Sequence, residues 1–279
     1  NCFAKLILLN MCPVPNSLFR AVPPEVLKSI FNKQINFVFY FNLFKYYSSL
    51  KSIIIIYTQI KIHCCMEITI LCTDEKHKII PFLQKWKISN SSSHNISLVN
   101  SSSEVGNGDI LFLISCLEII KCDIKSRFKH TLVIHESDLP HGKGWSPIQW
   151  QILNGSNSIT LTLLDAADKV DSGDIWKKEI VKFEGHELSN EINSQIFPLK
   201  LDLMDFAIEN INHVNKTIQK EIDEPHFPRR TPKDSEIDIS KSIFEQFNLL
   251  RIADNERYPC FFNYKGHNYK ISLTKINTE

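Results

Sequence analysis

The stretch from Val133 to Trp176 constrains this chain most. It reads VIHESDLPHGKGWSPIQWQILNGSNSITLTLLDAADKVDSGDIW. A β-branched run, Thr131 to Ile134, delivers His135 onto a loop carrying Asp138, Pro140, Gly142, Gly144 and Pro147. A second strand pattern, Ser158 to Leu164, leads into an acidic loop with Asp165, Asp168, Asp171 and Asp174. Histidine and carboxylate therefore leave the ends of neighbouring strands, where open α/β sheets keep their ligand crevices. A histidine oriented by a carboxylate moves protons near neutral pH, so the pattern reads as an active site.

Further strand-like runs occur at Glu67–Cys72, Ile96–Val99, Ile110–Ser115 and Ile175–Phe183, with helical stretches between several of them. His77–Lys87 places Ile79, Phe82, Leu83 and Trp86 on one helical face, with Pro81 at or near its start. Pro147 suits the first turn of a helix that Asn154-Gly155 ends. The alternation predicts an α/β fold, a Rossmann-like, doubly wound and mostly parallel sheet. Beyond it, Glu187–Ile218 reads as helical with an interruption at Pro198. Ser240–Leu250 reads as a short amphipathic helix, and Cys260–Leu273 as a hairpin turning at Lys265-Gly266-His267-Asn268.

The first 65 residues differ from the rest: they contain no Gly, Asp or Trp, and Glu25 is their only acid against seven Lys or Arg. We read 1–65 as translated upstream sequence or a disordered extension, 66–220 as the catalytic domain, and 221–279 as a substrate-side extension. Lys45 and Lys51 split the apolar run Phe37–Tyr57 below the ~20 residues a membrane span needs, so no membrane association is expected. Residues 66–279 keep 25 of the 32 basic and 30 of the 31 acidic residues, a net charge of −5. A domain gripping tRNA would carry a basic excess; no nucleic-acid partner is expected.

Of the eight cysteines, none forms a C-x-x-C pair and no histidine sits at zinc-finger spacing. A structural metal is therefore not expected. Cys72 and Cys116 end apolar strands as free thiols, which fits a reducing cytoplasm.

The two loop blocks carry a resemblance. His135, Ser137, Leu139, Pro140, Gly144, Pro147, Ile148, Gln149 and Trp150 match a pattern Asn-x-His-x-Ser-x-Leu-Pro followed by Gly and Pro-Ile-Gln-Trp. Asp171, Gly173, Asp174 and Ile175 match a second block, Asp-x-Gly-Asp-Ile. Both resemble the folate-dependent formyltransferases over roughly residues 66–275. The resemblance implies transfer of a formyl group from 10-formyltetrahydrofolate to an amine, with His135 and Asp171 catalytic and no metal. It implies a pterin groove along Ser115, Cys116, Leu117, Ile120, Ala167 and Asp168. Acceptor contacts are expected at Ser137 and Gly144, and at Arg229 and Arg230, whose guanidinium forks suit phosphate. Where the family has its catalytic Asn, this chain has Val133; losing one oxyanion donor costs roughly 100- to 1000-fold.

Within that family the Trp-rich HESDLPHGKGWSP block looks most like the nucleotide-sugar N-formyltransferases. The expected partner is a nucleotide-linked amino-dideoxy sugar of surface-glycan biosynthesis, with a homodimer left open. Two alternatives stand: an enzyme like methionyl-tRNA formyltransferase, and a non-catalytic binder of folate or nucleotide sugar.

Overall fold

The computed structural model describes residues 65–276. The expectation for residues 1–65 lies outside the described residues except for Cys65. Six strands form the main sheet: β1 (Glu67–Leu71), β2 (Asn95–Val99), β3 (Gly108–Leu113), β4 (Phe128–His135), β5 (Ser158–Asp165) and β6 (Ile175–Lys182). Their order is β2-β1-β3-β4-β5-β6. The first four run parallel, and β5 reverses direction against both neighbours. The expected mostly parallel sheet is therefore present, with an antiparallel side that alternation of runs did not reveal.

Side chains alternate across β4 as a strand requires. Leu132 and Ile134 face a large core shared with Leu83 and Trp86 of α1 (Ile80–Asn90) and with Ile192, Ile196, Phe197, Leu203 and Met204 of the long C-terminal helix. On the opposite face, Leu111 and Leu113 of β3 pack with Val105, Ile120 and Phe128, beside the one-turn helix α2 (Cys122–Lys125). Elements thus cover both faces, as the doubly wound reading requires. Cys72 is fully buried, which pushes its thiol up to about 11 and leaves it unreactive.

Three helix boundaries depart from the sequence reading. α1 begins at Ile80 rather than His77, because Pro81 occupies its first turn. The helix α3 spans Pro147–Leu153 as expected, and α4 runs unbroken over Ser189–Asn210. Pro198 sits on the exposed face of α4, where the carbonyl it leaves unpaired meets water, while the buried apolar face holds the helix together. The segment 211–218 does not continue it. Finally, only α5 (Phe247–Arg251) forms from the predicted Ser240–Leu250 helix. Upstream of it Asp238 accepts from Ser240 and Glu245 from Ser242, and these side-chain turns compete with helix.

The terminal hairpin forms from β7 (Cys260–Tyr264) and β8 (His267–Ile271). Lys265 and Gly266 both take positive φ, 49° and 82°, the geometry of a two-residue turn that follows the strand twist. Because the described sheet contains its own buried core, we propose that residues 66–279 fold alone. Expressed without the first 65, they are expected to melt cooperatively; insoluble product rescued only by the longer chain would contradict this.

Candidate active site

A cleft of about 360 Å³ opens at the carboxyl edge of the parallel strands. It collects His77 after β1, Ser115 to Ile120 after β3, His135 and Glu136 at the end of β4, and Ala166, Ala167, Asp168, Val170 and Asp171 after β5. β1 lies between β2 and β3, so the chain order switches there, the place where open sheets bind ligands. Its volume and mainly apolar wall suit an organic ligand rather than an ion. Among the described residues, no cluster of His, Cys, Asp or Glu could hold a metal.

At the cleft floor, His135 Nδ1 lies 3.5 Å from Asp171 Oδ1, and both side chains are buried. The Nε2 of His135 is 3.0 Å from the carbonyl of Gly142. A carbonyl can only accept, so Nε2 carries a hydrogen and Nδ1 is the atom facing the carboxylate. The second oxygen of Asp171 accepts the Gly144 N–H at 3.0 Å. The acidic loop and the glycine-rich loop are thereby tied through one carboxylate.

Local chemistry explains the loop shapes. β5 and β6 slip register between Leu163 and Leu164, a bulge of the kind that re-aims chains beside sites. The loop then passes so close to β5 that a Cβ on Gly173 would meet the Asp165 carbonyl at 1.8 Å. Gln219 pins it by donating to the carbonyls of Asp171 and Gly173. Ser115, Ser146 and Asp171 all hold positive φ, 50°, 51° and 52°, and all line the cleft. Such left-handed non-glycine residues cost free energy and gather at working sites.

Every expected pterin-groove residue lines the cleft: Ser115, Cys116, Leu117, Ile120, Ala167 and Asp168. Asp168 reaches Lys125 of α2 at 2.6 Å, which holds its carboxyl below the ordinary range. Gly144 lines the cleft as well. Ser137 does not: it is buried, with its hydroxyl donating to the His141 carbonyl, so it shapes the loop rather than meeting a ligand. Neither arginine reaches the cleft wall. Arg229 lies over the ring of Trp145 at 5.3 Å, and Trp145 is itself a wall residue, which leaves Arg229 at the rim. Arg230 packs over Trp150 and donates to the Asp234 carbonyl, closing its own turn.

Sequence reasoning missed a second polar group. Glu136 pairs with Lys200 of α4, whose side chain is 2% exposed. Burial raises the Glu136 carboxyl, but the ammonium of Lys200 and the imidazole of His135 outweigh it, and the net shift is downward. His77 lies within reach of the same pair; burial and then Lys200 push its imidazole down to about 4. The available signal was a lysine on the apolar stripe of a helix, where an unpaired charge is rarely tolerated.

These features define a class, an α/β domain with a buried histidine–carboxylate pair in a ligand-sized carboxyl-edge cleft. Residues 66–200 match the family described as Formyl transferase, so this segment belongs to that formyltransferase family. It is 27% identical over 192 residues to the "Bifunctional polymyxin resistance protein ArnA" of Wigglesworthia glossinidia brevipalpis, covering 68% of this chain and 28% of that one. The fold is similar to that of methionyl-tRNA formyltransferase from Clostridium thermocellum, with a TM-score of 0.66 at 24% identity over 76% of this chain and 94% of that chain. A sugar N-formyltransferase from Shewanella sp. has a TM-score of 0.59 at 15% identity, covering 77% and 99%. The chain spans only 28% and 64% of the lengths of the first two curated relatives it matches.

Proposed function

We propose that this chain transfers a formyl group from 10-formyltetrahydrofolate to the amino group of a nucleotide-linked amino sugar. The observation that carries the reading is the buried His135–Asp171 pair facing a ligand-sized cleft. The family match over residues 66–200 supports formyl chemistry. The likeness to a sugar N-formyltransferase over nearly that protein's whole length supports the acceptor class. So does the net charge of −5 over residues 66–279, which disfavours tRNA.

In this reading the amine lone pair attacks the formyl carbon and forms the new C–N bond. The tetrahedral intermediate then breaks its bond to the folate nitrogen. One proton leaves the acceptor nitrogen, and one is delivered to the departing folate nitrogen. His135 carries that proton on Nδ1, steadied by Asp171, whose own position the Gly144 N–H fixes. Holding both reactants in the cleft supplies much of the acceleration. Incubating the protein with 10-formyltetrahydrofolate and a panel of nucleotide-linked amino sugars, then reading formyl-adduct mass, tests the proposal.

Val133 belongs to a lateral row on the cleft floor. It pairs in register with Leu113 on one side and Leu164 on the other, and all three line the cleft. An amide there would interrupt an apolar surface. We expect Val133→Asn to leave turnover within about threefold of wild type and to lower stability by about 1 kcal/mol. A gain in turnover of tenfold or more would show instead that the site lacks a donor.

A further inference from the structure

Among the described residues, His77 is the one imidazole besides His135 in the cleft wall, and no step above uses it. Its Nδ1 accepts the backbone N–H of Ile79 at 3.2 Å, which fixes the tautomer: the ring hydrogen is on Nε2. Among the described residues no protein group meets Nε2. The ring is held against Phe197 at 5.8 Å between centroids. It is also kept neutral, because burial and the Lys200 ammonium oppose protonation more than Asp74 and Glu136 favour it; Arg257 adds to the opposition. His77 follows β1 and His135 ends β4, the parallel strands on either side of β3, so both imidazoles line the same carboxyl-edge cleft. The Glu136 carboxylate is paired with Lys200 rather than with this N–H.

We propose that the Nε2–H of His77 donates to the formyl oxygen during transfer, supplying the hydrogen bond that Val133 cannot. A neutral imidazole polarises a carbonyl without giving up its proton, and burial disfavours its charged form. The bond strengthens as charge moves from the carbonyl onto oxygen in the tetrahedral intermediate. The proton stays on Nε2 throughout, so the exchange of protons remains with His135 and the balance of the reaction is unchanged. This inference rests on the formyl-transfer reading above.

The test uses the full chain with 10-formyltetrahydrofolate carrying ¹³C in its formyl group. His77→Phe is expected to lower kcat by ~100-fold, as loss of one oxyanion donor does, with KM for both substrates within about threefold. His77→Gln, which restores an N–H donor, is expected to recover at least tenfold of that. In isotope-edited infrared spectra the bound formyl stretch should lie at lower frequency in wild type than in His77→Phe; His77→Ala covers the case that the larger ring disturbs the fold. Turnover within threefold of wild type in both Phe and Ala variants, or an unmoved carbonyl band, overturns the inference. If wild type binds the folate but formylates no acceptor, the acceptor assignment fails while the band still decides on His77. If wild type binds no formyl folate, both fall.

Discussion

Asp171→Asn is expected to lower turnover by at least ~1000-fold while shifting the melting temperature by only a few degrees. The amide keeps the shape of the carboxylate, and its oxygen can still accept the Gly144 N–H, so the two loops stay tied. What it lacks is the charge facing His135 Nδ1. Without that charge the ring is a poorer proton carrier, and general acid–base help of the order of 100- to 10,000-fold is lost. His135→Ala is expected to fall as far, because it deletes the carrier itself. Steady-state kinetics beside a thermal melt check both. Turnover within tenfold of wild type in either variant would remove the pair from the mechanism.

The second large effect is on stability. Lys200→Met is expected to cost roughly 3–5 kcal/mol, because it leaves the Glu136 carboxylate in a dry site without its counter-charge. At roughly 2–4 °C per kcal/mol for a domain of this size, the melting temperature drops by about 10 °C. Adding Glu136→Gln should recover most of it, since a neutral amide needs no counter-charge. The pH dependence follows from the directions of shift. Glu136 has a lowered folded value, so its stabilisation is complete above the unfolded carboxylate value and is lost as pH falls through the folded one. His77, lowered from 6.5 to about 4, likewise contributes stability that is present above pH 6.5 and lost as pH falls toward 4. Removing the Lys200 charge lessens the His77 shift, so the decline between pH 6.5 and 5 should be shallower in Lys200→Met. A variant that melts like wild type at every pH would mean the pair is solvated rather than buried.

Strand positions were readable because Ile, Val and Leu recur with the right period and Gly, Asn and Asp punctuate them. The reversal of β5 was not readable, because a buried strand carries the same apolar run in either direction. Helix ends were poorly readable where chemistry is local and competitive. Pro198 argues for a break until its ring is seen to face water, and the Ser240–Leu250 run argues for a helix until Asp238, Ser242 and Glu245 are seen bonding backbone N–H groups in turns. The groove residues and the His135–Asp171 pair were legible through resemblance, since spaced glycines and prolines leave a pattern. Ser137 came from the first block and the two arginines from the segment after the core, yet the loop spends Ser137 on its own fold and Arg230 on its own turn. Glu136 stood inside the quoted block and still went unnoticed, because its partner Lys200 is 64 residues away in sequence and meets it only once α4 has packed.

The most direct test of formyl transfer follows the label. The full chain is incubated with ¹³C-formyl 10-formyltetrahydrofolate and each of a panel of nucleotide-linked amino sugars, and the products are read by mass spectrometry. The account predicts one acceptor gaining a labelled formyl group in amounts equal to the tetrahydrofolate released, in wild type and not in Asp171→Asn. Labelled formate released alone, with no acceptor modified and no difference between the two proteins, would contradict it.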